Sequence, residues 1–219
     1  MNLRKAARRG PKPKPDTRSN LVQAGLQMIH ADGYSASGIQ GIVERADVPK
    51  GSFYTYFASK EAFGAEVIDL YSERGQARLR DFLKNPDLAP LARLEAYFDD
   101  RIGAFRASHF ARGCLLGNFS AEAADHSALI REHLAKQFRD WSALFEACLA
   151  EAQEQGAISD QFPAALLAGF IFNSWEGALL RSQAEKSDEW LEGFMHFVFD
   201  ELLAKQSKAK AGRKPLQNR

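Results

Sequence analysis

Two short stretches of this 219-residue chain carry side chains able to do chemistry. In the first, Lys50, Gly51, Ser52, Tyr54, Thr55 and Tyr56 crowd the positions between Pro49 and Phe57. A residue without a side chain permits close approach, and hydroxyls and a lysine suit phosphates and base edges. The plainer reading is an exposed amphipathic helix, with Phe53 and Phe57, four apart, as its core anchors. In the second stretch, Arg112-Gly113-Cys114-Leu115-Leu116-Gly117-Asn118, a cysteine sits between glycines and near a cation. A neighbouring cation favours the thiolate and a flexible loop admits reagents, although the commonest fate of a free cysteine is burial as an inert thiol. Cys148, on an apolar stripe, is expected to be inert core, and without a CxxC pair both cysteines read as free thiols. His30, His109, His126, His133 and His196 are scattered. Only His126 and His133 can share a helix face, which makes no metal site. No phosphate loop, nucleotide fingerprint or nucleophile elbow occurs. The expectation is therefore a non-enzyme with no cofactor and no metal.

The elements that must position these residues are helices. From Thr17 onward apolar residues recur at helical spacing and no run alternates with period two, so the fold class expected is all-α. Thr17 or Ser19 is expected to cap a first helix burying Val22, Leu26 and Ile29, with Gly33 ending it. A second, from about Gly38 to Ala46, buries Ile39, Ile42 and Val43. Asp47-Val48-Pro49 forms a turn, because Pro49 disfavours helix at Val48 and suits the start of the next helix. The third helix is short, from about Pro49 to Phe57, and Ser59 caps a fourth carrying Phe63, Val67 and Leu70. Further on, a helix from about Ala89 to Ser108 is interrupted over His109 to Asn118. A long helix follows from about Ser127 to Gln155, with the stripe Phe138, Trp141, Phe145, Cys148. Pro163 opens another helix, on which the small residues Gly169, Asn173 and Gly177 recur every fourth position and permit close helix approach. The last helix spans roughly Ser187 to Lys205.

Two short helices joined by a tight turn are the arrangement of a helix-turn-helix DNA reader. Charge agrees. Residues 1–18 carry a net +6, residues 205–219 another +6, and the body between them −11. Basic ends on an acidic body suit contact with a polyanion, though solubility tails give the same count. Arg8-Arg9-Gly10-Pro11-Lys12-Pro13-Lys14-Pro15 keeps its cations on extended backbone, as a minor-groove arm requires. The longest uncharged run, Gln161 to Trp175, falls short of the ~20 residues needed to span a bilayer. The basic start lacks a secretory apolar core, so no membrane association and a cytoplasmic location are expected.

Gly33-Tyr34, Gly38-Ile39, the run Ala46-Asp47-Val48-Pro49-Lys50-Gly51-Ser52-Phe53-Tyr54-Thr55-Tyr56-Phe57 and Ser59-Lys60-Glu61-Ala62-Phe63-Gly64 resemble the DNA-binding domain of TetR-family transcriptional regulators. The resemblance implies contacts to double-stranded DNA from Gln40, Lys50, Gly51, Ser52, Tyr54, Thr55 and Tyr56, with Lys60 reaching a phosphate. Where many members place Thr or Ser this chain has Gly38, so the hydroxyl contact from the start of helix two is either missing or taken over by Ser37. Four segments are then expected: a basic arm (1–18), the helix-turn-helix domain (19–71), a helical effector-binding and dimerisation domain (72–205) and a basic tail (206–219). The resemblance further implies a homodimer joined through its last two helices, a palindromic operator and a small-molecule effector. Cys114, Asn118, Trp141, Phe145, Phe170, Asn173 and Trp175 are the candidate effector or sensing residues, with Arg181 as a further polar contact. Helical aromatic stripes also serve as plain core. The segment around Cys114 resembles the Gly-Cys-Leu segment of a subgroup that includes electrophile-sensing and acrylate-responsive repressors. The alternative is an all-α small-molecule enzyme or binding protein with a vestigial helix-turn-helix.

Overall fold

The computed structural model describes residues 16–204, so the two basic ends, and the minor-groove arm read from residues 8–15, lie outside the described residues. Nine α-helices and no strand occur among the described residues. Helix α1 (Thr17–Asp32) starts after Asp16, with no side-chain cap. The expected hydroxyl cap therefore fails: Thr17 is already helical and buried. Arg18, assigned to the flexible arm, is helical too and pairs with Glu66. Gly33 ends α1 at φ 88, its N–H donating to Ile29 O.

Helix α2 (Ile39–Arg45) and helix α3 (Lys50–Tyr56) are each two turns long, joined through Asp47 at φ 52. Pro49 stands just outside α3 with extended backbone. Phe53 and Phe57 are 0% and 2% exposed and meet Phe63 at ring separations of 5.2 and 4.9 Å. Each such ring is worth about 2–3 kcal/mol of burial, which fixes the rotational setting of α3. Helix α4 (Lys60–Leu83) begins at Ser59, whose Oγ accepts from Ala62 N as expected. It runs unbroken past residue 71, so one rod belongs to both expected domains.

The body continues with α5 (Pro90–Ala107), α6 (Leu115–Ala123), α7 (Ala128–Glu154), α8 (Ala164–Glu185) and α9 (Glu189–Met195), whose chain continues in wider π-type winding over His196–Leu202. The break expected over 109–118 is shorter: helix resumes at Leu115, with Gly117 inside it. A Cβ added at Gly117 would lie 3.4 Å from Glu176 Oε2 and 3.9 Å from Cys114 Cβ, ordinary contact distances that place both side chains beside this turn of α6. Ser127 caps α7 through Ile130 N. The core joins Phe98, Phe145, Trp175 and Phe194, with Phe98 within 5.6 Å of each of the other three rings. None of the described helices is long and apolar enough to cross a membrane.

Candidate DNA-reading surface and effector cavity

With Phe53 and Phe57 turned inward, α3 presents Lys50, Gly51, Tyr54 and Thr55 outward, Tyr54 being 60% exposed. Ser52 and Tyr56 are half-buried, and Gln40 of α2 is exposed on the neighbouring helix. A Cβ added at Gly51 would meet nothing within 4 Å, so no contact inside the protein asks for glycine there. Two candidate contacts, Ser37 and Lys60, point elsewhere. Ser37 is fully buried and its hydroxyl donates to Gly33 O at 2.7 Å, so it is not offered at the surface. Lys60 turns inward, its Nζ donating to Tyr34 O at 2.8 Å and lying 4.5 Å from the Tyr34 ring centre. Burial lowers its pKa. It braces the segment before α2 rather than reaching out to a phosphate.

A cavity of about 480 Å³ opens between the reading domain and the body. Its aromatic wall includes Tyr97, Trp141, Phe145, Phe172 and Trp175, with Cys114, just before α6, and Glu176 of α8 also lining it. Leu26 and His30 of α1 line it too, so a helix of the reading domain forms part of the wall. His30 Nε2 lies 2.8 Å from Gly113 O. A carbonyl can only accept, so Nε2 carries the proton and Nδ1 is bare. Burial lowers the His30 pKa, which keeps the ring neutral. A second tie runs from Ser35 N to Glu122 Oε2 at 2.7 Å.

Of the expected effector residues, Cys114, Trp141, Phe145 and Trp175 line this cavity. Asn118, Phe170 and Asn173 do not. Phe170 (48% exposed) and Asn173 lie on the outer face of α8, because Leu167, Ile171 and Trp175 take its inner face. Leu166 and Leu180 are exposed on α8, and Phe197 is exposed beyond α9. Arg181 is engaged elsewhere, paired with Glu185 at 2.7 Å and stacked 3.4 Å from the Trp190 ring centre.

At Cys114 the thiolate is not favoured. Burial, and then the facing Glu176 carboxylate, push its thiol far above the ordinary range, outweighing the backbone N–H groups of Gly117 and Leu116 that lower it. Glu176 is pushed up to about 7 by burial, and no cation pairs with it among the described residues. Cys148 is buried as expected, its Sγ–H donating to Pro90 O at 3.1 Å and its thiol raised to about 11. Sequence reading missed Glu176 and His30. The signal for Glu176 was present: with Phe172 and Leu179 it forms an i, i+4, i+7 stripe in which a charge has no place unless it is used.

A helix-turn-helix joined by one continuous helix to a cavity-bearing helical body is the construction of a transcriptional regulator. Residues 21–67 match the family described as bacterial regulatory proteins, tetR family, and residues 90–198 match the tetracyclin repressor-like C-terminal domain. The chain is 39% identical over 186 residues to the HTH-type transcriptional repressor DhaR of Mycobacterium sp. strain GP1, covering 85% of this chain and 92% of that one. It is 31% identical to the HTH-type transcriptional repressor NemR of Escherichia coli, covering 84% and 92%. The crystal structure of a regulatory protein TetR from Rhodobacter sphaeroides superposes with a TM-score of 0.79 at 32% identity, covering 87% of this chain and all of that one. The chain belongs to the TetR family of DNA-binding transcriptional regulators. TetR-family repressors bind DNA, act as dimers and respond to small molecules. These relatives are regulators and give no support to an enzyme with a vestigial helix-turn-helix.

Proposed function

We propose that this chain is a cytoplasmic homodimeric repressor that holds a palindromic operator until a small electrophilic molecule enters the cavity between its two domains. The observation that carries this reading is the shared wall: a ligand touching Cys114, Trp141 and Trp175 also touches Leu26 and His30 of the reading domain. Release requires that the ligand bind the non-DNA conformation better, because equal affinity for both conformations shifts nothing. Recognition helices in a dimer must enter grooves about 34–36 Å apart, so a modest change in their separation breaks register. Gln40, Lys50, Gly51, Ser52, Tyr54, Thr55 and Tyr56 would make the DNA contacts. Exposed Leu166, Phe170, Leu180 and Phe197, with Gly169, Asn173 and Gly177 giving close approach, would make the dimer face.

The test is fluorescence anisotropy on the DNA upstream of the protein's own coding sequence, against scrambled DNA, across a salt series. Tight binding to the native fragment alone, weakening steeply with salt, is expected. Binding to both equally overturns specific repression. Addition of a reactive aldehyde or quinone should release the native fragment. A Cys114→Ser variant released just as readily would overturn covalent sensing at that residue.

A further inference from the structure

The thiol environment poses a chemical problem. Cys114 lines an aromatic cavity in which a free thiolate is strongly disfavoured, yet a thiol must lose its proton to attack carbon. One group in the cavity is placed to take that proton. Glu176 stands beside Cys114, both side chains lying over the bare Cα of Gly117, and it is not committed to a cation among the described residues. The amide groups of Leu116 and Gly117, at the start of α6, face Cys114 Sγ and favour negative charge on it. On another wall, the Trp141 indole N–H is buried with no hydrogen-bond partner among the described residues, a donor left for an acceptor that the protein does not supply.

We infer that Glu176 is the proton acceptor for Cys114, and that the pair adds covalently to a compact α,β-unsaturated carbonyl compound. This rests on the electrophile-responsive reading above. As Sγ forms its bond to the β-carbon, the thiol proton passes to the Glu176 carboxylate and the carbon–carbon π electrons move onto the carbonyl oxygen as an enolate. The proton then returns from Glu176 to the α-carbon, restoring the carboxylate and leaving a saturated thioether. Nothing is oxidised or reduced, and the pair and its ligand together carry one negative charge throughout, first on Glu176, then on the enolate and then on Glu176 again, so the cavity is never asked to hold a free thiolate.

Other titratable groups line the same cavity. They are His30 from α1; Tyr71, Arg74 and Arg78 from α4; Tyr97 and Arg101 from α5; and Arg112 from the loop before α6. Arg78 and Arg101 are both paired with Asp100. The tyrosine pKa values are raised, chiefly by burial, and His30 is lowered. Tyr71 and Tyr97 lie close enough to feel charge on Cys114 and Glu176, but among the titratable groups here Glu176 alone hydrogen-bonds the thiol.

The experiment measures alkylation of Cys114 by methyl vinyl ketone in the full-length protein, by peptide mass spectrometry from pH 5.5 to 9.5, with Cys148 as internal control. In the unaltered protein the Cys114 rate should climb through pH about 7 and then level off, far above the Cys148 rate. In Glu176→Gln it should fall about a hundredfold at pH 7.5 and rise tenfold per pH unit without a plateau. Glu176→Asp keeps a carboxyl and should restore the plateau at a reduced rate, an outcome that a merely structural role does not give. Loss of folding would show as fast alkylation of Cys148, and the Asp variant then carries the test by keeping or losing the plateau. A Cys114 rate and profile unchanged in Glu176→Gln would overturn the role of Glu176 and leave the electrophile reading standing. Cys114 alkylated no faster than Cys148 in the unaltered protein would overturn both.

Discussion

Gly51→Ala should raise the stability of the fold and lower its affinity for DNA, two effects of opposite sign from one methyl group. Inside the protein the methyl meets nothing within 4 Å. Replacing glycine in the first turn of α3 restricts the unfolded chain and favours helix, worth about 0.5 kcal/mol. For a chain of this length that is an increase of roughly 1–2 °C in Tm. If Gly51 meets the groove wall as proposed, the same methyl would occupy space that wall needs, and overpacking of this kind costs about 1–3 kcal/mol per site. A dimer meets the cost twice, so a loss of affinity of roughly 30-fold or more is expected, at about 1.4 kcal/mol per tenfold. The assay pairs a thermal melt with anisotropy on an operator selected by the unaltered protein from a random duplex pool. Gly25→Ala is the control: its methyl would fall 2.2 Å from Cζ of the fully buried Phe63, so Tm must drop. Undiminished DNA affinity in Gly51→Ala would refute the placement of this turn against DNA.

The pH dependence of stability contains two opposed contributions. The lowered pKa of His30 stabilises the fold above about pH 6.5, and this is lost as pH falls below that value, so urea midpoints of His30→Phe should vary less between pH 5 and 7 than those of the unaltered protein. Glu176 acts the other way. Its pKa, raised to about 7 from 4.5, costs stability as pH rises between those values, up to about 3 kcal/mol, so Glu176→Gln should be the more stable protein at pH 8 and lose that advantage near pH 4.5. Leu180→Asp, on the outer face of α8 where Leu180 is 69% exposed, should leave Tm nearly unchanged in the isolated chain but shift sedimentation equilibrium from dimer to monomer; a persistent dimer would move the interface elsewhere.

The reading domain was legible because its boundaries are written in residues with few conformational choices. Pro49 fixes where α3 can begin, Gly33 has the positive φ that ends α1, and Ser59 has the hydroxyl that caps α4. Helix α6 was misjudged because Gly113 and Gly117 look alike in sequence and serve different ends. Gly113 lies in the loop, where an added Cβ would meet Gln183 Oε1 at 2.4 Å, whereas Gly117 is helical and an added Cβ would make only ordinary contacts with Cys114 and Glu176. Phe170 and Asn173 were misplaced for a different reason. Helix α8 is apolar on two faces, and periodicity locates both without saying which one meets the body. The inward turn of Lys60 and the burial of Ser37 depend on carbonyls distant in space, and no local pattern announces them.

That α4 runs unbroken from Lys60 to Leu83 gives the molecule a fixed angular phase. Phe63, near its start, seats α3, and Gly75, three turns on, receives the Trp141 ring, which an added Cβ would meet at 2.6 Å. Each residue advances an α-helix by about 100°. One residue inserted between Leu70 and Gly75 would swing the reading head by that angle relative to the cavity while leaving each half able to fold. Hybrids that join this head to the body of another family member must therefore conserve the residue count along α4, since a splice correct in sequence but one residue out of step would assemble two sound halves facing the wrong way.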